Sequence, residues 1–243
     1  MACFCAAGNP LFSPLVSWNL NPLICPARMN AMKKWFALSL LALWPALAMA
    51  LVPVEGKDYT RIASPTPAKP GVIEVREFFW YGCPHCYKLE AHVVAWKKTL
   101  PADVKFIRTP AALNPVWENN ARGFYVAESL GLVEKTHGPL FHAIQIRKER
   151  LFDQASLAGF YAGHGIDKAN FNGLYQSFAV SAKVAQSRNL ATRYRLTGVP
   201  AMVVNGKYVV PGEGARTLEV VNALIARERG GAAAAPAPAA LRN

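Results

Sequence analysis

The chain has 243 residues, 52% hydrophobic and 17% charged, which is enough apolar material to close a core in one large or two small domains and too much for a disordered chain. The formal net charge is +12. The basic residues are scattered, and no recognition helix or base-stacking motif accompanies them, so binding to nucleic acid is not expected. A solvated basic exterior is the expected reading, and it would also suit an anionic membrane face.

Residues 1–28 carry no helical or strand period and read as mis-assigned upstream sequence, with translation starting at Met29 or Met32. A true N-terminal extension is the alternative. Residues 29–50 read as a signal peptide. Lys33-Lys34 precede the apolar run WFALSLLALWPALAMA, and Ala48-Met49-Ala50 supplies small residues for cleavage after Ala50. The competing reading is a retained anchor, but Pro45 interrupts the run and it is short for a membrane span. Cleavage removes Cys3, Cys5 and Cys25, so two of the five cysteines stay, Cys83 and Cys86. It also removes three basic residues and no acid, leaving +9 of the +12. Two cysteines are too few for a disulfide scaffold in an exported protein; a matched pair there points to redox chemistry.

In chain order, Leu51–Gly71 is expected to be an extended, Pro-punctuated lead-in, with Tyr59 and Ile62 turned onto the domain. Val72–Phe79 is predicted to be a strand whose residues Ile73, Val75, Glu77 and Phe79 share one face, which sets a carboxylate among apolar side chains. Pro84–Leu100 is predicted to be a helix with Cys86, Leu89, Val93, Trp96 and Leu100 on one stripe, stopped by Pro101. Val104–Arg108 is a second strand, completing a right-handed β–α–β unit. Residues 114–196 read as helices punctuated by Gly131, Gly138 and Gly165, with Asp153 and Asp167 as caps and one long helical segment from Asp167 to Leu196. Two β-branched runs, 201–204 and 207–210, flank Asn205-Gly206 and predict a hairpin. A last helix carries Leu218, Val221, Leu224 and Ile225 and closes at Gly230-Gly231. The expected organisation is α/β. Residues 51–112 and 195–229 form one sheet-and-helix domain, 113–194 is an all-helical insertion into it, and 230–243 is a low-complexity, disordered tail.

The stretch FFWYGCPHCYKLE carries the chemistry. Cys83 falls at the strand-to-helix turn and Pro84 at the first helical position, where its missing N–H costs nothing. Cys83 is therefore at or next to the N-cap, where unpaired N–H groups and the helix dipole favour a thiolate, and His85 can add a hydrogen bond or a positive charge. Cys86 lies on the apolar stripe and is expected to be buried, with its proton held more tightly. One exposed, acidic sulfur and one shielded sulfur, three residues apart, suit thiol–disulfide exchange. The alternative for a Cys-x-x-Cys pair is a metal site. A structural zinc needs four ligands, and only His85 and His92 lie nearby on the same helix. His137, His142 and His164 are given no role, and Phe79, Trp80 and Tyr81 either line a peptide-binding surface or belong to the core.

These residues resemble the DsbA family of periplasmic thiol–disulfide oxidoreductases. FFWYGCPHCYKLE is similar to the family's Cys-Pro-His-Cys site, TGVPAMVVNGKYVV to its cis-proline loop and following hairpin, and VEGKDYT and LPADVKF also fit; the resemblance runs from Leu51 to about Arg229. It implies a thioredoxin fold with an inserted helical domain and a periplasmic location. It further implies a cis Val199–Pro200 bond beside the cysteines, where the Val199 backbone pairs with substrate as an added strand. Glu77, Glu90 and Arg108 fall where the family has charged residues near the buried cysteine, which implies a proton relay. The family usually has Lys at the Arg108 position. An exposed strand-end carboxylate is the alternative for Glu77, and an ordinary helix-surface charge for Glu90.

The function expected from this is a thiol:disulfide oxidase that donates the Cys83–Cys86 disulfide to reduced exported proteins. The resemblance implies re-oxidation by a DsbB-like membrane quinone reductase. No bound cofactor or metal is expected, and the protein is expected to be a monomer. The alternatives are a disulfide isomerase or reductase on the same fold, or a non-catalytic metal-binding or chaperone module.

Overall fold

The computed structural model describes residues 52–65 and 71–230; the expected upstream segment, signal peptide and tail lie outside the described residues. Strands β1 (Thr60–Arg61), β2 (Ile73–Phe79), β3 (Val104–Pro110), β4 (Ala201–Val204) and β5 (Tyr208–Pro211) form one sheet in the order β1-β5-β4-β2-β3. Helix α1 (Pro84–Lys97) links β2 to β3, which pair in parallel, and helix α7 (Ala215–Glu228) follows β5. Between β3 and β4 come α2 (Pro115–Ser129), α3 (Val133–Gln145), α4 (Gln154–Ala162), α5 (Lys168–Tyr175) and α6 (Phe178–Arg193). This is a thioredoxin-like sheet with a helical block inserted, as expected.

The two faces of the sheet follow the period-two alternation of its strands. Val75 from β2 and Met202 and Val204 from β4 face α1 and α7, where Leu89, Val93, Leu224 and Ile225 cover them. The Trp96 indole N–H donates to Asn222 Oδ1 at 2.8 Å and ties those two helices together. On the opposite face, Phe78, Ala201 and Val203 pack against Ala191 and Tyr194 at the end of α6. Glu77 shares the face of Val75, so the pleat delivers its carboxylate beneath α1.

The turn between β4 and β5 is the expected one. Asn205 and Gly206 both have positive φ, 49° and 61°, and the Lys207 N–H donates to the Val204 carbonyl at 2.9 Å. That is the twist-matched hairpin turn that Asn-Gly favours.

Local details depart from the sequence reading at five places. The lead-in contains β1, which pairs antiparallel with β5 through Thr60↔Val209 and Arg61↔Tyr208 and is anchored by buried Tyr59 and Ile62. Helix α1 ends at Lys97, three residues before Leu100, with the chain already turning at Lys98 to meet Pro101. Strand β3 runs on to Pro110 because its parallel register with β2 continues through Phe79↔Pro110. Gly138 does not punctuate; it lies inside α3 beside Pro139, both on the exposed side, while the opposite face buries Thr136, His137, Leu140 and Phe141. The long segment from Asp167 is two helices. Ser177 accepts from the Val180 N–H and starts α6 anew, a side-chain cap outweighing the continuous helical period. Asp153 and Asp167 cap α4 and α5.

Candidate active site

Cys83 is the N-cap of α1, with φ −87° and ψ 117°, and Pro84 stands just inside the helix. The Cys83 N–H donates to the Trp80 carbonyl at 3.0 Å, closing the Tyr81-Gly82 turn. Gly82 is required there, because a Cβ would sit inside the indole of Trp80. That indole stacks on Trp117 at 4.7 Å between centroids and donates from Nε1 to Asn120 Oδ1 at 2.9 Å. The aromatic lead-in therefore fastens the turn to α2.

Both cysteines are free thiols, so this is the dithiol form. Cys83 is 8% exposed and Cys86 fully buried. The expected open sulfur is thus only a narrow aperture, because the loop before β4 covers it: the Cys83 thiol lies 3.5 Å from the Val199 carbonyl. The Val199–Pro200 peptide bond is cis. Beside this loop runs a groove of about 540 Å³ whose lining includes His85, Arg195, Leu196, Val199, Val209 and Glu213.

The electrostatics divide the two sulfurs. The Cys83 thiol is lowered to about 6, chiefly by a hydrogen bond from the Cys86 thiol. Burial opposes this, and the backbone N–H groups of Cys86 and His85 and the charge of His85 assist it. The helix entrance contributes as the sequence suggested, but the neighbouring thiol contributes more. Burial pushes the Cys86 thiol far above its ordinary range, and the hydrogen bond it gives to Cys83 adds to that. His85 Nδ1 is hydrogen-bonded to Glu213 in the β5–α7 loop; Lys88 Nζ lies 3.6 Å from the same carboxylate.

Below the cysteines is a buried polar cluster. Parallel pairing sets Glu77 of β2 opposite Arg108 of β3. Arg108 Nε is 3.6 Å from Glu77 Oε2, and its Nη2 donates to Glu90 Oε1 of α1 at 2.7 Å. Glu77, Glu90 and Arg108 are 1%, 7% and 9% exposed, so neither carboxylate is the solvated surface charge that was the alternative reading. Burial raises the Glu77 carboxyl to about 8 despite the pull of Arg108, with Glu90 adding repulsion. Glu77 is close enough to Cys86 for its charge to act there. Glu90 goes the other way: burial pushes it up, but hydrogen bonds from His137 and Arg108 and the charge of Arg108 hold it below the usual carboxylate range.

His137 is the residue the sequence reading passed over. It is 3% exposed, with Nδ1 2.9 Å from the Tyr81 hydroxyl and Nε2 3.3 Å from Glu90 Oε2. Its place on the α3 stripe with Leu140, Phe141 and Ile144 was the available signal, since a histidine at a core position of a helix needs polar partners. Glu213 and Gln145, which donates from Nε2 to the Tyr81 carbonyl at 2.7 Å, carried no signal in the sequence. Among the described residues no group of three or more His, Cys, Asp or Glu is placed to hold a metal ion.

Residues 74–225 match the DSBA-like thioredoxin domain. The thiol:disulfide interchange protein DsbA of Pseudomonas syringae pv. tomato is 42% identical over 205 residues, covering 82% of this chain and 96% of that protein. The DsbA of Pseudomonas aeruginosa PAO1 is 40% identical over 200 residues, covering 80% and 95%. The crystal structure of Pseudomonas aeruginosa DsbA superposes with a TM-score of 0.69 at 42% identity, covering 73% of this chain and 95% of that one. That of the oxidoreductase DsbA from Xylella fastidiosa gives 0.71 at 34%, covering 74% and 100%. With a matched domain spanning most of the described residues and the same fold in solved relatives, this chain belongs to the DsbA family of thioredoxin-fold oxidoreductases.

Proposed function

We propose that this protein is a thiol:disulfide oxidase that passes a Cys83–Cys86 disulfide to exported proteins folding in the periplasm. The observation that carries the reading is the asymmetry of the pair. Cys83 is stabilised as an anion at the helix entrance, and Cys86, beneath it, is held as a thiol. Stabilising the Cys83 thiolate stabilises the reduced protein against the disulfide, which makes the disulfide an oxidant; about 30 mV corresponds to 1.4 kcal/mol for this two-electron couple.

In the first step a substrate thiolate attacks Cys83 Sγ. A substrate–Cys83 bond forms, the Cys83–Cys86 bond breaks, and the electron pair goes to Cys86. Buried as it is, Cys86 needs a proton, and the Glu77 carboxyl, protonated at neutral pH, supplies it. In the second step another substrate thiolate attacks the substrate sulfur of the mixed disulfide. The substrate disulfide forms, and Cys83 leaves as its stabilised thiolate. Two electrons have then moved to the protein, and Glu77 recovers a proton from solvent. The substrate backbone aligns with Val199 beside cis-Pro200, with neighbouring side chains in the adjoining groove.

Export by the 29–50 segment, re-oxidation by a DsbB-like membrane quinone reductase and action as a monomer belong to the same reading. The deciding experiment is the redox equilibrium of the mature chain with glutathione, beside a Cys83→Ser control. An equilibrium far toward the reduced protein supports an oxidase. One favouring the disulfide would mark a reductase. N-terminal sequencing of the protein from a periplasmic extract should begin at Leu51.

A further inference from the structure

The proton that Cys86 takes up must be replaced from outside, yet Cys86 and Glu77 have almost no contact with solvent. The polar cluster beneath them extends toward α3. Arg108 Nη2 donates to Glu90, and the other oxygen of Glu90 meets His137 Nε2. Arg108 Nη1 lies 3.6 Å from Glu134 on the surface, and Glu134 is paired with Lys97 at 2.5 Å. A cavity of about 220 Å³ opens there, its lining including Glu90, Lys97, Arg108, Glu134 and His137. The Tyr81 hydroxyl, two residues before Cys83, reaches the other side of the imidazole.

His137 is enclosed edge-on by Phe79 at 4.9 Å and Phe141 at 5.1 Å, with Phe124 behind, so the ring cannot turn freely. Burial lowers its proton affinity, as does Arg108, outweighing Glu90. A neutral ring can satisfy both neighbours in one way. Tyr81, whose own proton is held more tightly by burial, donates to Nδ1, and Nε2–H donates to Glu90.

We propose that His137 is a positioning residue for proton handling at Cys86: by donating to Glu90 it keeps that carboxylate on Arg108, and so keeps Arg108 from drawing Glu77 into its ionised form. The helical insertion thereby takes part in the chemistry of the sheet domain through one side chain. The inference rests on the oxidase reading above, in which Glu77 is the proton donor. Without the His137 donor, Glu90 loses one of its two hydrogen bonds and takes a proton more readily. Arg108 then has Glu77 as its main buried counter-charge, and Glu77 ionises at lower pH.

The test compares His137→Phe and His137→Gln with the unmodified mature protein. The midpoint of the Glu77 carboxyl is read by carbon-13 NMR, beside the pH profile of disulfide reduction by a peptide thiol, corrected for its thiolate fraction. H137F should lower the Glu77 midpoint by about one unit or more and move the alkaline limb of the profile with it. H137Q, whose amide can accept from Tyr81 and donate to Glu90, should restore both. An unchanged midpoint in H137F, or no rescue by H137Q, would overturn the proposal. Should H137F fail to fold, nitrogen-15 NMR of the imidazole in the unmodified dithiol protein decides. The neutral Nε2–H tautomer is expected between pH 6 and 8; an Nδ1–H tautomer or an imidazolium sinks the idea. Failure of the unmodified protein to exchange with glutathione would instead remove the oxidase reading itself.

Discussion

The thiol of Cys83 lies 3.5 Å from the backbone carbonyl of Val199, a residue 116 positions further along the chain. A carbonyl so close accepts from a thiol but not from a sulfur that has no proton, so in the disulfide, the form that a substrate thiolate attacks, the Val199 carbonyl is open to other donors. An incoming peptide N–H is one. The sulfur under attack and the strand-like edge that would hold the attacker are therefore presented together.

Ultraviolet titration of the reduced protein should find the Cys83 thiolate forming with a midpoint near 6. Because the Cys86 thiol is the largest contributor, Cys86→Ala should move that midpoint up by about one unit. An unchanged midpoint would mean that the helix entrance alone stabilises the anion.

The dithiol protein should be more stable than the disulfide form at neutral pH. The Cys83 thiol is lowered on folding, so its contribution is present above the unfolded value and fades as pH falls through about 6. At pH 7 it is on the order of 1 kcal/mol. Thermal melts of both redox forms at pH 8, 7 and 5 check this: the gap should be widest at pH 8 and narrow toward pH 5.

Glu77→Gln should trade activity for stability. The Glu77 carboxyl is raised to about 8, so its contribution is fully present below the unfolded value near 4.5 and is lost as pH rises through 8. Glutamine imitates the neutral acid and removes that loss, giving about 3 kcal/mol of added stability at pH 7. The rate of disulfide transfer should fall about tenfold or more, because Cys86 loses its proton donor. Denaturant melts and stopped-flow reduction of the disulfide measure the two effects.

Gly82→Ala should loosen the turn before Cys83. The added methyl collides with the Trp80 indole, which must leave either its stack on Trp117 or its hydrogen bond to Asn120. The loss should be about 2 kcal/mol, with a change in tryptophan fluorescence. Denaturation followed by that fluorescence reads both.

The sequence by itself determined most of the elements and the redox pair, though not β1 or the break between α5 and α6. Periodicity, caps such as Asp153 and Asp167, the Asn205-Gly206 turn and the Cys-Pro-His-Cys spacing are all local signals, carried within a few residues. It also showed that Glu77 shares a face with Val75. What it could not show is what meets that face. Glu77, Glu90, Arg108 and His137 come from β2, α1, β3 and α3, and only parallel strand register and helix packing bring them within reach of one another. The same holds for the cover that Val199 places over Cys83 and for the Glu213 contact to His85. Burial and charge pairing are properties of that assembly, which is why the opposite proton affinities of Glu77 and Glu90, and the part His137 plays between them, were decided by the tertiary structure.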